Sequence, residues 1–137
     1  MTKFALEWIE VPDCKVYFYK LLIDEDCPFD EFWEKMERSG NFEKDLDKIY
    51  TLVVLLSQKH RLPTDKFKEL SGRKKDDPYR DFEIKAGRLR VYLFEDETEG
   101  KIIALGELKK DKKRQSKQIK RMRQIKLAYF DAKEENT

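Results

Sequence analysis

Arg88 and Arg90 are separated by one residue, and so, a few positions upstream, are Asp81 and Glu83. Residues two apart on a strand share one face, so each pair presents its charges together. Two guanidinium groups on one strand face suit the grip of a nucleic-acid phosphate. Lys85 flanks the same turn, and Tyr92 continues the arginine face. A carboxylate on the neighbouring strand, Glu83 foremost, can move a proton. Asp81 and Glu83 can equally pair with Lys85 and Arg88, which is the simpler reading of that spacing. Arginines on a surface strand can also serve solubility alone.

Beyond these strands the charge becomes one-signed. Residues 101–126 hold 11 Lys and Arg against 2 Asp and Glu, whereas residues 1–60 hold 8 against 13. A net charge of +2 therefore hides a polarised chain, and an unpaired basic run of this kind is a face for nucleic acid or an acidic partner. Lys109, Lys110, Lys112, Lys113, Arg114 and Lys117 are the candidate nucleic-acid-binding side chains. A solvated helix face is the plainer alternative.

The elements that must hold these groups follow from periodicity. Phe4–Val11 and Lys15–Ile23, rich in aromatic and β-branched residues and split by Pro12-Asp13, predict two strands. Phe29, Phe32, Trp33 and Met36 recur at helical spacing behind Asp30 as N-cap, and Ser39-Gly40-Asn41 ends that helix. Phe42, Leu46, Ile49, Val53 and Leu56 sustain a second helix, apolar almost all round in its middle and hence expected to be the most buried element. Residues 65–70 read as a short helical or irregular piece. An antiparallel sheet follows, with Phe82 and Ile84 opposite Asp81, Glu83 and Lys85, and with Leu89, Val91 and Leu93 facing the core. Ala86-Gly87 and Glu95–Gly100 turn the chain, Lys101–Lys109 forms the last strand, and the tail beyond Ser116 fits a helix. That helix turns Ile119, Met122, Tyr129 and either Ile125 or Lys126 inward. Trp8, Trp33 and the aromatic run 17–19 read as core.

The predicted class is α+β: one domain over residues 1–137, a twisted, mostly antiparallel sheet packed against a helical hairpin, with a basic C-terminal helix. A hydrophobic content of 39% supports one core, and 12% aromatic residues argue against disorder despite 42% charged residues. No signal-peptide-like leader or membrane-length apolar run is present, so a cytoplasmic protein with no membrane partner is expected. Cys14 and Cys27 lack metal-ligand spacing and read as idle thiols; His60 reads as structural or exposed. Neither a metal nor a cofactor is expected.

The segments FKELSG (67–72), YRDFEIKAGRLRVYLFED (79–96) and KIIALGELKK (101–110), the last leading into the basic tail, carry a resemblance. In this order they resemble the RelE/ParE superfamily of type II toxins, most closely its HigB-like, phage-derived branch. The resemblance covers roughly residues 15–130, leaving an extra N-terminal strand at about 1–13. It implies a RelE-like fold and a ribosome-dependent endoribonuclease that hydrolyses mRNA, silenced by a small antitoxin, typically a helix-turn-helix protein. The ParE branch instead inhibits gyrase. Arg90 matches the family's sheet arginine, with Arg88, Lys85, Glu83 and Tyr92 around it as the implied catalytic set. Lys109 and Lys110 match basic residues at the end of the last strand. Where some members carry lysines on the preceding strand, this chain has Asp81 and Glu83. A non-catalytic module of the same fold, holding gyrase, DNA or an acidic protein, or an inactive phage-derived homologue, is the alternative.

Overall fold

In the computed structural model, which describes residues 1–136, six strands form one open sheet between two helical layers. The strands are β1 (Phe4–Trp8), β2 (Phe18–Ile23), β3 (Phe67–Glu69), β4 (Asp81–Ala86), β5 (Leu89–Asp96) and β6 (Gly100–Leu108). Their order across the sheet is β1-β2-β6-β5-β4-β3, with every neighbouring pair antiparallel except the parallel pair β2/β6. Helices α1 (Pro28–Ser39) and α2 (Glu43–Ser57) follow β2, and α3 (Lys112–Glu135) follows β6.

Strand alternation divides the apolar side chains between the two faces. Phe18, Ile84, Leu89, Val91, Leu93 and Ile103 pack with Phe29, Phe32 and Met36 of α1 and Leu46, Ile49 and Val53 of α2. Leu21, Tyr92, Phe94, Ile102 and Ala104 pack with Met122, Tyr129 and Phe130 of α3. The sheet is thus covered on both sides, whereas the sequence predicted a hairpin on one face and an open basic face on the other. Consequently β5, not α2, is the most buried element: of its eight residues only Glu95 reaches the surface appreciably. Strands buried on both faces read as near-continuous apolar runs, which LRVYLF is apart from Arg90.

Local chemistry moves several boundaries. Asp30 does not cap α1: Cys27 occupies the N-cap, Pro28 starts the helix, and Asp30 accepts from Lys20 Nζ at 2.9 Å. Proline suits that first position because its missing N–H would have no helical partner. Gly40, at φ 72°, closes the helix in the left-handed conformation and donates its N–H to Glu37 O. Residues 67–69 are a short edge strand rather than a helical piece, because Phe67 stacks on Phe82 at 5.2 Å and the backbone pairs with β4. The C-terminal helix starts earlier than Ser116, where Asp111 caps it by accepting from Arg114 N at 2.7 Å. Trp8 and Tyr17 are 48% and 53% exposed and stack edge-on to each other, so they are surface rather than core. Among the described residues no helix is long and apolar enough to cross a membrane.

Candidate nucleic-acid interface

Three polar clusters lie where α3 crosses the sheet. At its C-terminal end, Asp96 accepts from Tyr129 Oη at 2.8 Å and from Lys133 Nζ at 2.7 Å. In its middle, the fully buried Lys126 reaches Asp81 at 2.9 Å, Asp77 at 2.6 Å and the Tyr79 carbonyl at 2.7 Å. Arg123 grips both oxygens of Asp81, at 2.9 and 3.0 Å. Burial works against ionising Asp81, but the hydrogen bonds from Arg123 and Lys126 outweigh it and hold this carboxyl below the usual range. Asp96 is held low in the same way by Lys133, Tyr129 and Thr98.

The third cluster, under the first turns of α3, is built differently. Tyr92 on β5 stands between Glu83 on β4 and Glu107 on β6, and donates its hydroxyl to Glu107 Oε2 at 2.6 Å. Gln115 of α3 donates to Glu83 Oε2 at 2.7 Å. Glu83 Oε1, Glu107 Oε1 and Arg90 Nε are buried without a hydrogen-bond partner among the described residues. Lys85 Nζ approaches Glu83 Oε1 only to 3.8 Å, beyond hydrogen-bonding reach. Burial pushes the Glu107 carboxyl up, and Tyr92, Arg114 and Arg90 offset this only in part. The Tyr92 phenol is pushed far up by burial and by Glu107, so it stays a donor and orients that carboxylate.

A β-bulge brings Glu107 to this face. Tyr92 pairs with Leu105 but Leu93 pairs with Ile103, leaving Ala104 as an extra residue on β6. Simple alternation from Ile103, which faces the hairpin, would send Leu105 and Glu107 the same way. Instead Leu105 packs on the α3 side and Glu107 meets Tyr92, while Gly106 turns toward α1. Phe32 sits so close to Gly106 that a Cβ there would lie 2.5 Å from its ring, which is why this position carries no side chain.

The residues singled out from sequence separate into buried and exposed groups. Arg90, on the face now covered by α3, is 8% exposed. It spends its guanidinium on the turn, donating to Gly87 O at 2.7 Å and Leu89 O at 2.9 Å. Glu83 and Tyr92 are fully buried beside it. Arg88, Lys110, Lys112, Lys113, Arg114 and Lys117 are exposed, and Lys85 and Lys109 half-buried. Arg88 and Lys109 are tied together, since Lys109 N donates to Arg88 O at 2.8 Å. The turn after β4 and the start of α3 thereby form one basic rim at the same end of the sheet. Among the described residues only Lys85 of this rim pairs with a carboxylate, the 3.8 Å approach to Glu83. Lys66 extends the rim, its carbonyl accepting from Lys85 N at 2.8 Å, and its ammonium lies close enough to Lys48 to lower that group's pKa.

Sequence reasoning missed Glu107 and Gln115, and gave Asp81 a choice of partners that excluded the correct ones, Arg123 and Lys126. Glu107 carried no signal without the bulge. The i, i+3 spacing of Arg123 and Lys126 on one helix face was visible, but their partner lies over forty residues away. Comparison with known proteins returns no matching family model, no similar curated protein and no similar solved structure.

Proposed function

We propose that this protein is an RNA-binding toxin of the RelE/ParE type, HigB-like in its strand motifs: a ribosome-dependent mRNA endoribonuclease neutralised by a small antitoxin. The observation that carries the reading is the unpaired basic rim, Arg88, Lys109, Lys110 and Arg114, beside a buried carboxylate pair with spare acceptor capacity. The element order from β2 onward, strand, helical hairpin, strands and basic helix, also agrees with the RelE-like fold that the motifs imply.

The chemistry is transesterification at phosphorus. Glu83 takes the proton of a ribose 2′-hydroxyl, the 2′-oxygen attacks phosphorus to close a 2′,3′-cyclic phosphate, and the P–O5′ bond breaks as the leaving 5′-oxygen takes a proton from water. Rim cations bind the phosphate and stabilise the charge that accumulates on it. Arg90, which holds the turn carrying Arg88, is a positioning residue in this scheme; Gln115 orients the base Glu83, and Tyr92 closes the cluster on its Glu107 side. The first turns of α3 hold to the sheet through Gln115–Glu83 and the half-buried Ile119, so they are the weakest-anchored part of the lid over this cluster.

Inducible expression with mapping of transcript 5′ ends tests the proposal. New ends inside coding regions are expected from the wild type and none from an Arg88→Ala/Lys109→Ala/Lys110→Ala variant that still folds. Growth arrest without new ends would favour the non-catalytic binding module, and absence of both RNA binding and arrest would overturn the reading.

A further inference from the structure

β2 and β6 are parallel neighbours whose following helices leave to opposite faces, α1 to the hairpin side and α3 to the other. Diverging connections of this kind open a crevice beyond the carboxyl ends of the two strands, where open sheets bind ligands. Here the β2/β6 ladder stops at Lys20↔Ile103, so β6 beyond Ile103 has no strand partner on that side. A cavity of about 390 Å³ occupies the gap, within the size range of ligand sites.

Its walls combine three chemistries. Phe32, Met36, Leu105 and Leu108 give apolar surface fit for a planar ring. Lys110 and Arg114, with Lys35 and Arg121 beyond them, give positive charge that forms no salt bridge among the described residues and outnumbers the one exposed carboxylate of the wall, Glu31. Glu107 gives one buried carboxylate, fixed on Oε2 by Tyr92 and without a partner on Oε1. A fixed acceptor beside an apolar wall selects N–H donors and rejects acceptor edges, because a mismatched group would leave a buried charge unpaired. Among RNA bases, guanine offers a ring N–H and an adjacent amino group in the fork that a carboxylate matches. Cytosine and adenine offer one amino group, uracil a single ring N–H flanked by carbonyls.

We propose that this crevice binds a guanine nucleotide unit of RNA, with Glu107 reading the base edge and Lys110 and Arg114 holding the phosphate. The biological source of the ligand rests on the RNA reading above, while mononucleotide binding tests the crevice separately.

The full chain is titrated with GMP, IMP, AMP, CMP and UMP at low salt, by calorimetry or backbone amide shifts. GMP is expected to bind about tenfold more tightly than UMP, the discrimination one well-made base contact supplies. IMP, which lacks only the amino group, is expected to fall between them, a comparison that needs no mutation. Glu107→Gln should collapse the preference to less than about threefold, since the amide keeps an acceptor for Tyr92 but loses the charge. Arg114→Ala should weaken all five ligands alike. Equal binding of the five, a preference that survives Glu107→Gln, or no binding of any nucleotide would overturn the proposal. RNA cleavage persisting beside any of these results would leave the endoribonuclease reading standing and remove only the base-reading site.

Discussion

The two halves of α3 meet the same sheet on opposite terms. From Met122 onward the helix buries apolar side chains, Phe130 stacking on Tyr79 at 3.6 Å, and every buried carboxylate there has a cation. From Lys112 to Gln118 it presents no apolar residue at all. Beneath it lie Glu83 and Glu107, each with an oxygen left over. Poorly paired charge is costly to bury, so the second cluster should contribute less to stability than the first. The C-terminal half is an anchor, and the N-terminal half is a cover over two carboxylates that each keep an unpartnered oxygen.

Breaking the anchor should have the largest effect. Asp81→Asn removes the charge shared by Lys126 and Arg123 and is expected to cost about 3–5 kcal/mol, the usual penalty for orphaning one side of a buried pair. Urea denaturation at neutral pH measures it; a loss below about 1 kcal/mol would mean that Asp77 alone satisfies Lys126.

The pH dependence of stability should separate the halves next. Asp81 and Asp96 are depressed in the folded state. Their stabilisation is therefore complete above the unfolded value near 3.9 and is lost as pH falls below it. Glu107 is raised, so the folded state takes up its proton more readily than the unfolded chain. Stability should accordingly rise as pH falls from neutral toward about 4.3, before the aspartates drive it down. Glu107→Gln is expected to abolish the rise, to leave the acid limb intact, and to match or slightly exceed wild-type stability at neutral pH. A Glu107→Gln profile superimposable on wild type would show that its burial carries no electrostatic cost.

The same contrast explains what could be read from the chain. The strands, the helical hairpin and the inward face of β5 follow from alternation and helical spacing, which need only neighbours in sequence. Which face of the sheet would be closed did not follow. The basic run 109–121 advertised an exposed helix, while the residues that dock it, Met122, Lys126, Tyr129 and Phe130, sit in its less basic continuation. Lys126 is one of two candidates for the inward face, and the choice between it and Ile125 is settled only by Asp77, in the polar break at 71–78, and by Asp81 just past it. Arg90, chosen for its guanidinium, turned out to serve the turn that presents Arg88. The Ala104 bulge, which delivers Glu107 to its site, leaves no mark in composition, because an extra residue in one strand is defined only by the strand opposite.

The smallest effect on stability should come from the rim, and there the functional effect should be largest relative to it. Lys109→Ala and Lys110→Ala remove charges that form no salt bridge among the described residues, so each is expected to change stability by no more than about 0.5 kcal/mol. If these side chains contact RNA phosphates, each loss lowers affinity across all sequences. It also flattens the slope of log K against log salt by about 0.7 for single-stranded RNA. Filter binding over a salt series reads both quantities at once. A rim that only solubilises the helix would leave the slope unchanged, and the cover over Glu83 and Glu107 would then have to serve a ligand other than a polyanion.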